Sequence, residues 1–75
     1  MPDPFPAALR RLRDARGLTQ QALADSIGTS RPAVGRMEAG ASKPSLGVLR
    51  KLADALSVTL DELTGRTTTT KDDVR

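Results

Sequence analysis

From Ala7 to Leu63 apolar residues return every three or four positions, and nowhere do apolar and polar residues alternate as along a half-buried strand. The pattern predicts five short helices. In the first, Ala7 to Arg16, the residues Ala8, Leu9, Leu12 and Ala15 share one face. Arg10, Arg11 and Asp14 point away from it, Arg13 and Arg16 flank it, and Gly17 supplies the stop. Thr19 is an N-cap candidate for a second helix, which carries Ala22, Leu23, Ala24 and Ile27 and ends at Gly28. A third runs from about Arg31 to Ala39 and closes at Gly40. After the loop ASKP, Ser45 is the cap candidate for a fourth, with an apolar stripe of Leu46, Leu49, Leu52, Ala53 and Leu56. The last opens with TLDE, Thr59 to Glu62, the spacing of a capping box, and Leu60 and Leu63 give it apolar contacts.

Both ends fall outside the pattern. PDPFP places Pro2, Pro4 and Pro6 within five residues, so residues 1–6 are expected to be an irregular lead. RTTTTKDDVR offers only Val74 for burial, so residues 66–75 are expected to be a disordered polar tail, with an added strand or swapped arm as the alternative. One all-α domain remains at 7–65, with a helix-turn-helix unit at about 19–39.

The third helix has an unusual outer face. At about 100° per residue, Ala33, Val34 and Met37 form a compact apolar arc, so Met37 reads as core. Arg31, Pro32, Gly35, Arg36 and Ala39 fall on the opposite side. Pro32 belongs to the first turn, where a missing N–H costs little, and either Ser30 or Arg31 is the cap. Gly35 in mid-helix costs roughly 1 kcal/mol relative to alanine, and an outward position offers no packing reason for it. Close approach by the surface of another molecule is such a reason.

Charge points in the same direction. Residues 10–51 hold nine Lys or Arg against three acids, a net +6, while residues 52–75 carry a net −2. The polarity suggests an anionic partner for the first two-thirds of the chain. Cysteine, histidine, tyrosine and tryptophan are absent and Phe5 is the only aromatic residue. Disulfides and thiolate metal sites are therefore excluded, and acid–base catalysis near neutral pH lacks its usual side chain. No enzyme activity, cofactor or metal is expected. Apolar runs are too short for a membrane span and the N-terminus lacks the pattern of a secretion signal, so a cytoplasmic protein is expected.

From Leu9 to Leu63 the chain resembles the Cro/C1-type helix-turn-helix family of phage repressors, Cro proteins and Xre-like regulators. The resemblance rests on the order and spacing of GLTQ, LA, IG, SR, the glutamate–glycine pair, the loop proline and LADAL. It implies a compact five-helix bundle of the lambda-repressor-like DNA-binding type. By the same resemblance Gln20, with Gln21 beside it, and Ser30 would meet phosphate, and Arg31, Pro32 and Arg36 would stand at base-contact positions along Gly35. Pro32 departs from the polar residue common there and can offer only apolar contact. Ala39, Gly40 and Lys43 would lie where the following loop meets the DNA backbone, although Gly40 also serves as a simple C-cap. Arg13 would pair with Glu38 and fasten the third helix to the bundle.

The function expected is sequence-specific binding of double-stranded DNA by a transcriptional regulator, a repressor or autoregulator. It would act as a homodimer on a palindromic operator, with recognition helices about 34 Å apart. Val58, Leu60 and Leu63 are the first candidates for the dimer interface and Phe5 a weaker one, unless they complete the core. The alternative is an antitoxin-type module that neutralises a toxin or other protein partner and binds DNA only for autoregulation.

Overall fold

The computed structural model describes residues 3–65, and the expectation for the tail at 66–75 lies outside them. Five helices follow one another: α1 Phe5–Ala15, α2 Gln20–Ile27, α3 Arg31–Glu38, α4 Leu46–Leu56 and α5 Leu60–Leu63. Among the described residues there is no strand. α3 packs against α2 and α1, α4 against α2 and α5, and α5 returns to α1. Leu9, Leu23, Val34, Leu52, Leu56 and Leu63, drawn from all five helices, are fully buried where these contacts meet. Each such side chain contributes about 1.5–3 kcal/mol of hydrophobic stabilisation.

Local chemistry sets the ends. Side-chain oxygens of Thr19, Ser30 and Ser45 accept from the backbone N–H groups of Ala22, Ala33 and Val48, so Ser30 rather than Arg31 is the cap of α3. Thr59 and Glu62 form a reciprocal capping box. α2 ends at Gly28, whose φ of 72° lets the chain turn sharply towards α3 while the Thr29 N–H donates to the Ala24 carbonyl. α4 ends at Ser57, a non-glycine residue at φ 57°.

Three expectations are corrected. First, α1 begins at Phe5, inside the proline-rich lead, so Phe5 and Pro6 are not irregular. Pro6 occupies the first turn, where no N–H is required, and the Asp3 carboxylate accepts from the Phe5 N–H at 2.9 Å. Second, Phe5 and Leu63 are buried in the core, which removes both from the dimer-interface candidates; Val58 and Leu60 are half-buried. Third, the α4 stripe stops short of its first member: Leu46 is 56% exposed. Ala15 likewise stays at the surface. Gly65, at φ 82°, closes the bundle against the lead: a Cβ there would lie 2.4 Å from the Pro4 Cβ.

Candidate nucleic-acid interface

α2, the turn at Gly28 and Thr29, and α3 form a helix-turn-helix unit whose second helix lies partly outside the bundle. Val34 and Met37 anchor α3 from beneath. On its outer side Arg31, Pro32, Arg36 and Ala39 are exposed and Gly35 is half-buried, so the face read from the sequence is the face presented. Neither Arg31 nor Arg36 has a carboxylate within ion-pair distance among the described residues. Their guanidinium groups remain available to an outside acceptor. Ser30, holding the Ala33 N–H through its oxygen, retains its own hydroxyl hydrogen as a donor at the same end of the helix.

A polar clasp fixes the orientation of α3. Arg13 donates through Nε to Glu38 Oε2 at 2.6 Å and through Nη2 to Oε1 at 3.1 Å, a bidentate pair joining α1 to α3. Its Nη1 reaches the Leu18 carbonyl at 2.8 Å and lies 3.3 Å from Asp14 Oδ1. Gln20 Nε2 donates to Glu38 Oε1 at 3.1 Å, which brings α2 into the same knot. Burial pushes the Glu38 carboxyl up. Hydrogen bonds from Arg13 and Gln20 and the charges of Arg13 and Arg10 outweigh it and hold the group below its ordinary value. The hydrogen bond from Glu38 holds the Arg13 guanidinium above its ordinary value, against burial and with help from the charges of Glu38 and Asp14.

A carboxyl depressed in the folded state contributes stability that is present above its unfolded value, near about 4.3, and lost as pH falls through the folded value. Urea midpoints are therefore expected to hold steady down to about pH 5 and to decline below it. Glu38→Gln should remove a measurable part of that decline. A Gln variant with the same pH slope would take Glu38 out of the acid response.

The knot also floors a surface recess of about 310 Å³ lined by Arg10, Arg13, Gln20, Gly35, Glu38 and Ala39. Gly35 keeps it open, since a Cβ there would meet only Gln20 Nε2, at 4.0 Å. No neighbour within the protein therefore forbids a side chain at position 35. Gly35→Ala is expected to raise the melting temperature, by a stabilisation of up to about 1 kcal/mol. A variant that melts lower would show that the fold itself needs the glycine.

The remaining residues divide. Gln21 is exposed and donates to Asp25 Oδ1 at 2.9 Å, one turn along α2. Lys43 is exposed and lines a separate hollow with Asp3, Phe5, Pro44, Leu49 and Thr64. Gly40 has a φ of 76° beyond the end of α3, as a C-cap glycine does. Two features escaped the sequence reading: the bond from Gln20 to Glu38, and Arg10, which faces the recess across from α3. Arg10 stands one helical turn before Arg13, and that spacing is the signal that places both on the side of α1 nearest Glu38.

The fold agrees with what is found in known proteins. The helix-turn-helix family model HTH_3 matches residues 9–63. The chain is 41% identical over 58 residues to the cryptic phage CTXphi transcriptional repressor RstR of Vibrio cholerae, covering 77% of this chain and 52% of that protein. Among solved structures, the restriction-modification controller protein C.AhdI of Aeromonas hydrophila is similar at a TM-score of 0.76 and 44% identity, over 79% of this chain and 89% of that one. The P22 c2 repressor protein, solved in complex with a synthetic operator, is similar at 0.75 and 27% identity, over the same shares. This chain thus belongs to the helix-turn-helix family, in its Cro/C1-type, phage-repressor-like branch. It spans about half the length of several curated relatives that it matches.

Proposed function

We propose that this chain binds double-stranded DNA sequence-specifically and regulates transcription, as a repressor or autoregulator, with α3 seated in the major groove. The observation that carries the reading is the pair of exposed guanidinium groups, Arg31 and Arg36, on a helix clasped to the bundle by Arg13, Glu38 and Gln20. A guanidinium pairs bidentately with guanine O6 and N7, and the major groove admits one helix. Pro32 offers apolar contact, suited to a thymine methyl, and Gly35 lets the helix backbone come close to the groove. Ser30 and Lys43 contact phosphate, which fixes register without reading sequence. Gln21 adds a backbone contact at the start of α2.

The protein acts as a homodimer inside the cell, with Val58 and Leu60 as the remaining interface candidates from the sequence. Two recognition helices about 34 Å apart then require an inverted repeat. The names of the relatives, a transcriptional repressor and an operator-bound repressor among them, favour a regulator over an antitoxin or an enzyme. Selection of binding sites from a random pool of duplexes with purified protein tests the reading. An enriched inverted repeat with half-sites one helical turn apart is expected; a pool that stays random after repeated rounds would reject it.

A further inference from the structure

The last helix is held differently from the others. α5 has 4 residues, too few for a helix to stand without tertiary support, and Leu63 is its one buried side chain. The turn is tied to itself: the Thr59 hydroxyl oxygen accepts from the Glu62 N–H, and the Glu62 carboxylate accepts from the Thr59 N–H. The corner that joins it to α4 is strained. Among the described residues with a positive φ, Ser57 alone is not glycine, and a Cβ in that region costs free energy that glycine avoids. One exposed bond from outside holds the corner, Arg16 Nη2 donating to the Ser57 carbonyl at 3.2 Å. At the far end the Gly65 backbone lies against Pro4. Packing beside that contact is incomplete, with a hollow of about 180 Å³ among Thr64, Phe5, Pro44 and Leu49.

We infer that α5 is a hinged strap, which opens as a unit about Ser57 and away from Pro4 while α1 to α4 stay folded, and that two copies pair only when it is closed. Opening gives up one buried leucine and one exposed bond, and it releases the strain at Ser57. Unfolding any other helix gives up at least two buried side chains. The strap is therefore the segment with the smallest opening free energy. Pairing enters through the hinge. Val58 follows Ser57 and Leu60 is the first residue of α5, so these two half-buried side chains form one surface only in the closed strap. The link to pairing rests on the homodimer reading above, and it makes α5 the switch between a form that pairs and a form that does not.

The test is amide hydrogen exchange of the full chain, read residue by residue by NMR, with light scattering to follow pairing. The Leu63 and Thr64 amides, bonded to the Thr59 and Leu60 carbonyls, report on the strap. Those of Leu52 and Leu56 in α4 report on the body. Corrected for intrinsic rates, the strap amides should exchange at least about 10-fold faster than the body amides. Ser57→Gly, which relieves the corner, should slow the strap amides by roughly 3-fold, and Arg16→Ala should speed them by a similar factor. Gly35→Ala, which favours α3, should slow the body amides and leave the strap amides unchanged, because the strap opens without α3 unfolding. Raising the protein concentration through the range in which the chain pairs should slow the strap amides further.

Strap and body amides that exchange at one rate and shift together in Gly35→Ala would overturn the hinge, as would strap amides indifferent to Ser57→Gly. Strap exchange that ignores concentration while scattering shows pairs would overturn the link to pairing. If the chain stays monomeric at every concentration, that link falls with the homodimer reading, and the hinge stands or falls on the variants.

Discussion

With Arg31 replaced by alanine, the protein is expected to hold its selected duplex about 1–3 kcal/mol more weakly, and Arg36→Ala should do the same. The loss should concentrate on particular base pairs, because a guanidinium that forks onto guanine O6 and N7 is wasted on any other base. Random duplex should be affected much less. Melting temperatures should not move, since neither side chain pairs with a carboxylate among the described residues. Lys43→Ala supplies the contrast: all duplexes should weaken together and the salt dependence should flatten by about one counterion. Titrations on both duplexes at several salt concentrations check these expectations. Equal losses on selected and random DNA would remove Arg31 and Arg36 from base reading.

The second large effect falls on the clasp. Arg13 and Glu38 have side chains only 12% and 6% exposed, so deleting one leaves the other largely buried without its bidentate partner. Breaking a buried pair in this way costs about 3–5 kcal/mol. A domain of this length holds about 4–11 kcal/mol in total. Arg13→Ala should therefore lower the melting temperature by more than about 10 °C, or leave no folded protein at 37 °C. Arg13→Met combined with Glu38→Leu should recover part of the loss, because apolar replacement of both partners leaves no stranded charge. Thermal denaturation of the single and double variants decides this. A melting point for Arg13→Ala within a degree or two of the parent would reduce the clasp to a surface contact.

Helix content and caps were legible because they are local. Period, Thr19, Ser45, the Thr59–Glu62 box and Gly28 each act within a turn of the residue concerned, and each stands where the pattern puts it. The outer face of α3 was legible for the same reason, since Val34 and Met37 leave it one way to turn. What escaped depends on partners distant in sequence or on one compensating bond. Three prolines argue against helix at residues 1–6, yet the Asp3 carboxylate and a first-turn position suffice to start α1 at Phe5. Leu46 satisfies the periodicity of α4 but lies at its first residue, where no other helix covers it. Gln20 looks like a free polar side chain until α3 brings Glu38, eighteen residues later, within 3.1 Å. Arg10 likewise has an outward direction on its own helix and acquires a setting only when α3 crosses nearby.

Methylation interference on the selected duplex tests most directly whether α3 lies in the major groove. Guanine N7 faces the major groove and adenine N3 the minor, so one experiment probes both. Methylation at N7 of guanines in each half-site should block binding, with Arg31→Ala or Arg36→Ala insensitive at one of them, while N3 methylation there should be tolerated. Interference at adenine N3 alone, or at no base in either half-site, would contradict the assignment of α3 as the reading helix.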